Sequence, residues 1–139
     1  MASTPNNIPL GVTLSNPGNI RNTGITWSGQ DKSYPGPYCK FIAPSWGFRA
    51  MARILSSYEK EGIQTIRGAI TRWAPASENP TDSYIANVST WSGIDPDTVT
   101  ALPALPILKA ITRQEQGSCP WPDSTILLGL ALNNPQAEE

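Results

Sequence analysis

Ser45-Trp46-Gly47-Phe48-Arg49-Ala50-Met51-Ala52-Arg53-Ile54-Leu55-Ser56-Ser57-Tyr58 decides how the rest of the chain is read. Phe48, Met51, Ala52, Leu55 and Tyr58 recur at i, i+3, i+4, i+7 and i+10, the period of an amphipathic helix. Ser45 is a fair N-cap and Gly62 a C-terminal stop, so the spacing predicts a helix between them. The same period carries on toward the C-terminus. A second helix begins near Gln64, sets Ile66, Ile70 and Trp73 on one face, and must end before Pro75. A third is announced by Asn79 as N-cap, Pro80 at the first helical position and Asp82 in the first turn, with Tyr84, Ile85, Val88 and Trp91 on its apolar face and Gly93 closing it. Asp95-Pro96-Asp97 predicts a short helix ending before Pro103, Pro106 opens a helix over Ile107 to Gln116 that Gly117 stops, and Asp123 or Ser124 caps a last apolar helix through Leu132.

On the N-terminal side the pattern is different. Asn19 to Trp27 alternates loosely around Asn22-Thr23-Gly24, which predicts an irregular hairpin. Asp31 to Pro37 is a Pro/Gly loop, and Tyr38 to Ala43 reads as a short strand. These pieces make a small β-hairpin lobe, and the expected class is α+β, mainly α. Residues 1–15 read as an extended Ser/Thr/Asn/Pro-rich arm, 16–132 as a single domain, and 133–139 as a polar tail.

Composition narrows the function more by what it lacks. The chain has no histidine, which removes Ser-His-Asp and Cys-His nucleophiles and imidazole metal ligands together. Cys39 and Cys119 have no CxxC spacing, so they are two buried thiols or one disulfide, and no metal or cofactor is expected. A net charge of −1 and a pI near 5.4 offer no basic field for nucleic acid. No apolar run reaches the roughly 18 residues that would insert in a membrane, and Met1 to Leu10 lacks the pattern of a secretory signal peptide. Acid–base chemistry, if present, falls to the 11 carboxylates.

Asn16-Pro17-Gly18-Asn19-Ile20-Arg21 concentrates special backbone residues around polar donors. Asn16-Pro17 sets an extended entry, Gly18 allows positive φ, and Asn19 and Arg21 offer an amide and a guanidinium fork. It reads as a binding loop or as an ordinary turn. With Asn22-Thr23-Gly24-Ile25-Thr26-Trp27-Ser28-Gly29, Phe41-Ile42-Ala43-Pro44-Ser45-Trp46-Gly47-Phe48-Arg49-Ala50 and Arg72-Trp73-Ala74-Pro75-Ala76-Ser77-Glu78-Asn79-Pro80-Thr81, it resembles a group of small phage virion proteins and effector-like domains of lysozyme-like, lytic-transglycosylase-like character. The resemblance spans roughly residues 14 to 117. It implies a peptidoglycan-cleaving glycosidase carried by a phage virion or delivered to the bacterial periplasm, with glycan strands and other virion proteins as partners. Its alternative is a non-catalytic virion structural or glycan-binding protein of the same fold.

The resemblance also concerns order. Such domains place the acid Glu on a helix just before an N-N-P-G-N-I loop, whereas no Glu precedes Asn16 in this chain. The Ala110 to Gly117 segment looks like that helix moved to the C-terminal side, implying a circularly permuted order in which it packs beside the loop.

Glu115 follows Leu108 by seven residues and Ile111 by four, so helix period sets it on their apolar face. There it is either a general acid in apolar surroundings, which favour a retained proton, or a solvated charge in a fraying last turn. Glu78, at a helix start, has its charged form favoured by the helix dipole, suiting a base, an oxocarbenium stabiliser or a structural anchor. Trp27 and Tyr34 are candidates for stacking on sugar faces, with Asn16, Asn19 and Arg21 as hydrogen-bonding partners for N-acetyl or lactyl groups. Arg21 and Glu78 are also expected to pair with each other.

Overall fold

The computed structural model describes residues 7–134 and places six helices there: α1 (Leu10–Thr13), α2 (Pro44–Lys60), α3 (Ile66–Trp73), α4 (Thr81–Ser92), α5 (Leu105–Gln116) and α6 (Asp123–Asn133). α2 is the spine. Pro44 occupies the first turn, where its missing N–H leaves nothing unpaired, and the cap falls on Ala43, two residues before the expected N-cap Ser45. The stripe read from the sequence faces inward: Phe48, Met51, Ala52 and Leu55 are fully buried. Against it pack α6 and α5, while α4 lies on α5 and α3 lies on α4. One continuous core results, with Ile66 and Ile70 of α3, Val88 of α4, Ile107, Leu108 and Ile111 of α5 and Ile126 of α6 all nearly inaccessible. Gly93 and Gly117 end α4 and α5 in the left-handed region, at φ 75° and 84°, the terminations that the sequence predicts at both places.

The expected α+β class does not hold. Among the described residues there is no strand, and the intended β-hairpin lobe over 19–43 contributes only two isolated bridges, Arg21 with Tyr38 and Gln30 with Phe41. Single cross-links such as Cys39 N–H to the Ile20 carbonyl (2.9 Å) and Asp31 N–H to the Lys40 carbonyl (2.8 Å) hold the segment. Pro35 and Pro37 lack the N–H groups a ladder would need, and Gly29 and Gly36 offer no side chains to pack, so pairing cannot propagate. The two-lobed lysozyme-like layout, in ordinary or circularly permuted order, is replaced by one helical body crossed by an irregular loop.

Smaller corrections have local causes. Asp95-Pro96-Asp97 is a turn, because the Asp95 carboxylate accepts from the Asp97 N–H at 2.8 Å and diverts the backbone from helical bonding. Helix α4 starts at Thr81, one residue later than Pro80, and the Thr81 hydroxyl reaches back to the Ala74 carbonyl at the end of α3. The expected N-terminal arm contains the short helix α1, and Leu14 after it is buried. Residues 1–6 of that arm and 135–139 of the tail lie outside the described residues. Cys39 is buried, Cys119 is half-buried, and both are free thiols.

Candidate functional site: a cleft walled by the Asn16–Arg21 loop

The Asn16–Arg21 loop is held from beneath. Asn16 is fully buried; its amide donates to the Ile20 carbonyl (3.0 Å) and the Cys39 carbonyl (2.9 Å), and its own carbonyl oxygen accepts from the Ile20 N–H (2.9 Å). The loop's positive φ falls on Asn19, at 50°, and not on Gly18. Asparagine tolerates that region better than other side-chain-bearing residues. Gly18 is required for a different reason: a Cβ there would lie 2.8 Å from Met51 Cγ and 3.2 Å from the Trp73 ring. Gly47 of α2 gives the loop the same close approach on its other side, since a Cβ would sit 2.6 Å from Pro17 Cδ.

Helix α5 grips the loop with its last two residues. The Gln116 amide donates to the Pro17 carbonyl and to Asn19 Oδ1, both at 3.0 Å. Glu115 accepts from Asn19 Nδ2 through Oε1 at 2.9 Å and from the Tyr84 hydroxyl through Oε2 at 2.7 Å. Thus α4, α5 and the loop meet at one half-buried carboxyl group, both of whose oxygens face donors. Tyr84 is 3 % exposed, with the Trp73 indole beside its hydroxyl. Burial, reinforced by the neighbouring Glu115 charge, raises its pKa well above the ordinary tyrosine value.

The sign of that shift gives a prediction. Because the folded state holds the Tyr84 proton more tightly than the unfolded chain does, its contribution is intact below about pH 10 and is lost as pH rises beyond it. Tyr58, raised mainly by burial, adds to the same slope. Urea midpoints measured between roughly pH 8 and 11 should therefore fall with pH in the parent and less steeply in Tyr84→Phe. Equal slopes would mean that Tyr84 ionises without opposing the fold.

Above this junction lies an open cleft of about 830 Å³. Of the residues singled out in the sequence, Asn19, Arg21, Trp27, Glu78 and Glu115 line it. Asn16 and Tyr34 do not: Asn16 spends its side chain under the loop, and Tyr34 packs over Gly36 in the 31–37 turn. Arg21 and Glu78 share the cleft without pairing; among the described residues no ion pair joins them, and both are exposed. Tyr38, Arg53, Tyr58, Arg72, Trp73 and Tyr84 also line the cleft, and the sequence reading did not assign them there. Tyr84 carried a legible signal, since a tyrosine on an apolar helix face must find a partner for its hydroxyl. Arg72 did not, because its place is fixed by Glu61, which accepts from it at 2.8 and 3.0 Å across the α2–α3 turn.

Among the described residues, no group of three His, Cys, Asp or Glu side chains stands where it would hold a metal ion, and no helix is long and apolar enough to cross a membrane. No protein-family model matches the chain. A curated relative does: Protein P5 of Pseudoalteromonas phage PM2 is 35% identical over 122 residues, an alignment covering 84% of this chain and 76% of that protein. Identity at this level over most of both chains implies a shared fold, and the chain belongs to the family of the phage PM2 Protein P5.

Proposed function

We propose that this protein is a phage virion component that holds peptidoglycan glycan strands in its cleft without cleaving them. The observation that carries this reading is the composition of the cleft: the rings of Trp27, Trp73, Tyr38 and Tyr58 stand among Arg21, Glu78 and Asn79 in one open groove. Aromatic faces suit the apolar C–H surfaces of sugars, and polar groups between them suit hydroxyl and acetamido substituents. The phage relative supports the virion setting. The position of Glu115 favours binding over turnover, since its two oxygens serve as the junction of Tyr84 and Asn19.

A second reading is favoured by one observation of its own: Glu115, half-buried, lines the same cleft as Glu78. This reading is a muramidase or lytic transglycosylase in which Glu115 gives a proton to the glycosidic oxygen. One experiment separates the two. Purified protein is mixed with peptidoglycan sacculi across a range of pH, and both sedimentation with the sacculi and loss of turbidity are followed. Co-sedimentation without clearing is the expected result. Clearing by the parent that drops on the order of 10²-fold in Glu115→Gln would establish the glycosidase instead. Absence of co-sedimentation and of clearing would remove peptidoglycan from both readings.

A further inference from the structure

The cleft distributes its charges unequally between those already engaged and those open to a ligand. Arg72 is held by Glu61 at 2.8 Å and lies over the Tyr58 ring at 5.6 Å from its centroid, so its charge is largely answered within the protein. Glu115 is likewise engaged, by Tyr84 and Asn19. Arg21 differs from both. Its backbone is fixed by the bridge to Tyr38 and by the Cys39 thiol donating to its carbonyl, its side chain is exposed in the cleft, and among the described residues no carboxylate pairs with it. A guanidinium on a fixed backbone presents a planar fork of donors that matches a carboxylate in two parallel hydrogen bonds.

From this placement we infer that the cleft selects glycans bearing carboxylate groups over neutral N-acetylated glycans, with Arg21 as the residue that reads the carboxylate. The inference rests on the glycan-binding reading above and names the chemical class within it. Peptidoglycan carries such groups on its lactyl-linked peptide stems, whereas a chitin oligosaccharide has the same N-acetylated backbone and none. The aromatic walls recognise what the two share. Arg21 recognises what separates them, and Glu78, on the α3–α4 turn of the same cleft, is an acceptor for the hydroxyl groups both possess.

The test uses the full chain with two probes: a chitin tetrasaccharide, and a peptidoglycan tetrasaccharide whose stems end in free carboxylates. Affinities are measured by calorimetry for the parent, Arg21→Ala and Arg21→Lys, at low and high salt. The parent should bind the acidic probe roughly 10-fold tighter than the neutral one, the scale of one charge-assisted contact. Arg21→Ala should abolish that preference by weakening the acidic probe roughly 10-fold more than chitin, and Arg21→Lys should retain part of it, because ammonium keeps the charge without the fork. Added salt should narrow the gap for the parent and do nothing for Arg21→Ala. Equal affinity of the parent for both probes, or equal weakening of both by Arg21→Ala, overturns the role of Arg21 and leaves glycan binding standing. Failure of the parent to bind either probe overturns this inference together with the reading on which it rests.

Discussion

Replacing Asn16 with Ala is expected to lower the free energy of unfolding by about 3 to 5 kcal/mol, although the residue touches no ligand. Two backbone groups depend on this one side chain, the Cys39 carbonyl and the Ile20 N–H, while the Ile20 carbonyl, which it also serves, keeps the Cys39 N–H. Asn16 is completely inaccessible, so water does not readily take over. Each orphaned buried group costs about 1 to 3 kcal/mol, against roughly 1 kcal/mol for an ordinary exposed hydrogen bond, and this asymmetry sets the size of the effect. The loop that carries Asn19 and Arg21 is expected to loosen with it, because Ile20 is its anchor. A urea titration followed by far-ultraviolet circular dichroism measures the first effect, and glycan affinity the second. A loss under about 1 kcal/mol would show that the loop closes over the deletion.

Gly129→Ala is expected to destabilise by about 2 kcal/mol or more, opposite in sign to what the helix alone would give. In an exposed helix interior, exchanging Gly for Ala gains roughly 0.5 to 1 kcal/mol through reduced backbone entropy and better propensity. In α6 the new Cβ would lie 2.5 Å from Phe48 Cβ, 2.9 Å from the Ser45 carbonyl oxygen and 3.0 Å from the Arg49 nitrogen. Two of those neighbours are α2 backbone and the third is attached to it, so none yields by rotating a side chain. Helix α6 must move off α2, and Trp121, whose ring stands edge-on to Phe48 at 5.6 Å, moves with it. Thermal unfolding decides the sign directly: a raised melting temperature would mean that the α2–α6 crossing has slack.

The helices were legible because their information is local. The stripe from Phe48 through Met51 and Leu55 to Tyr58 needs only the 3.6-residue period, and Gly93 and Gly117 mark helix ends by a backbone conformation that other residues resist. The expected packing of the Asn16–Arg21 loop against the end of the Ala110–Gly117 helix is observed as well, through Asn19 and Glu115. The class was misread where local and non-local preferences diverge. Residues 19–43 carry strand-like fragments, but strand formation depends on continuous pairing with a partner, and the prolines there interrupt it.

The site was decided by tertiary structure. In sequence Asn16 and Asn19 are equivalent donors on one loop, yet one is sealed against Cys39 and the other grips Glu115 at the cleft wall. Arg21 and Glu78 look like natural partners, and the fold leaves them unpaired in the same groove. Tyr84 belongs by period to the core face of α4, and only the meeting of α4 with α5 supplies the carboxylate that its hydroxyl needs. Periodicity specifies which face a side chain occupies; what it meets there is set by how the elements pack, and in this chain the α2–α6 crossing rests on close contact at Gly129 and the seating of the loop on α2 rests on Gly18 and Gly47, residues with no side chain to announce them.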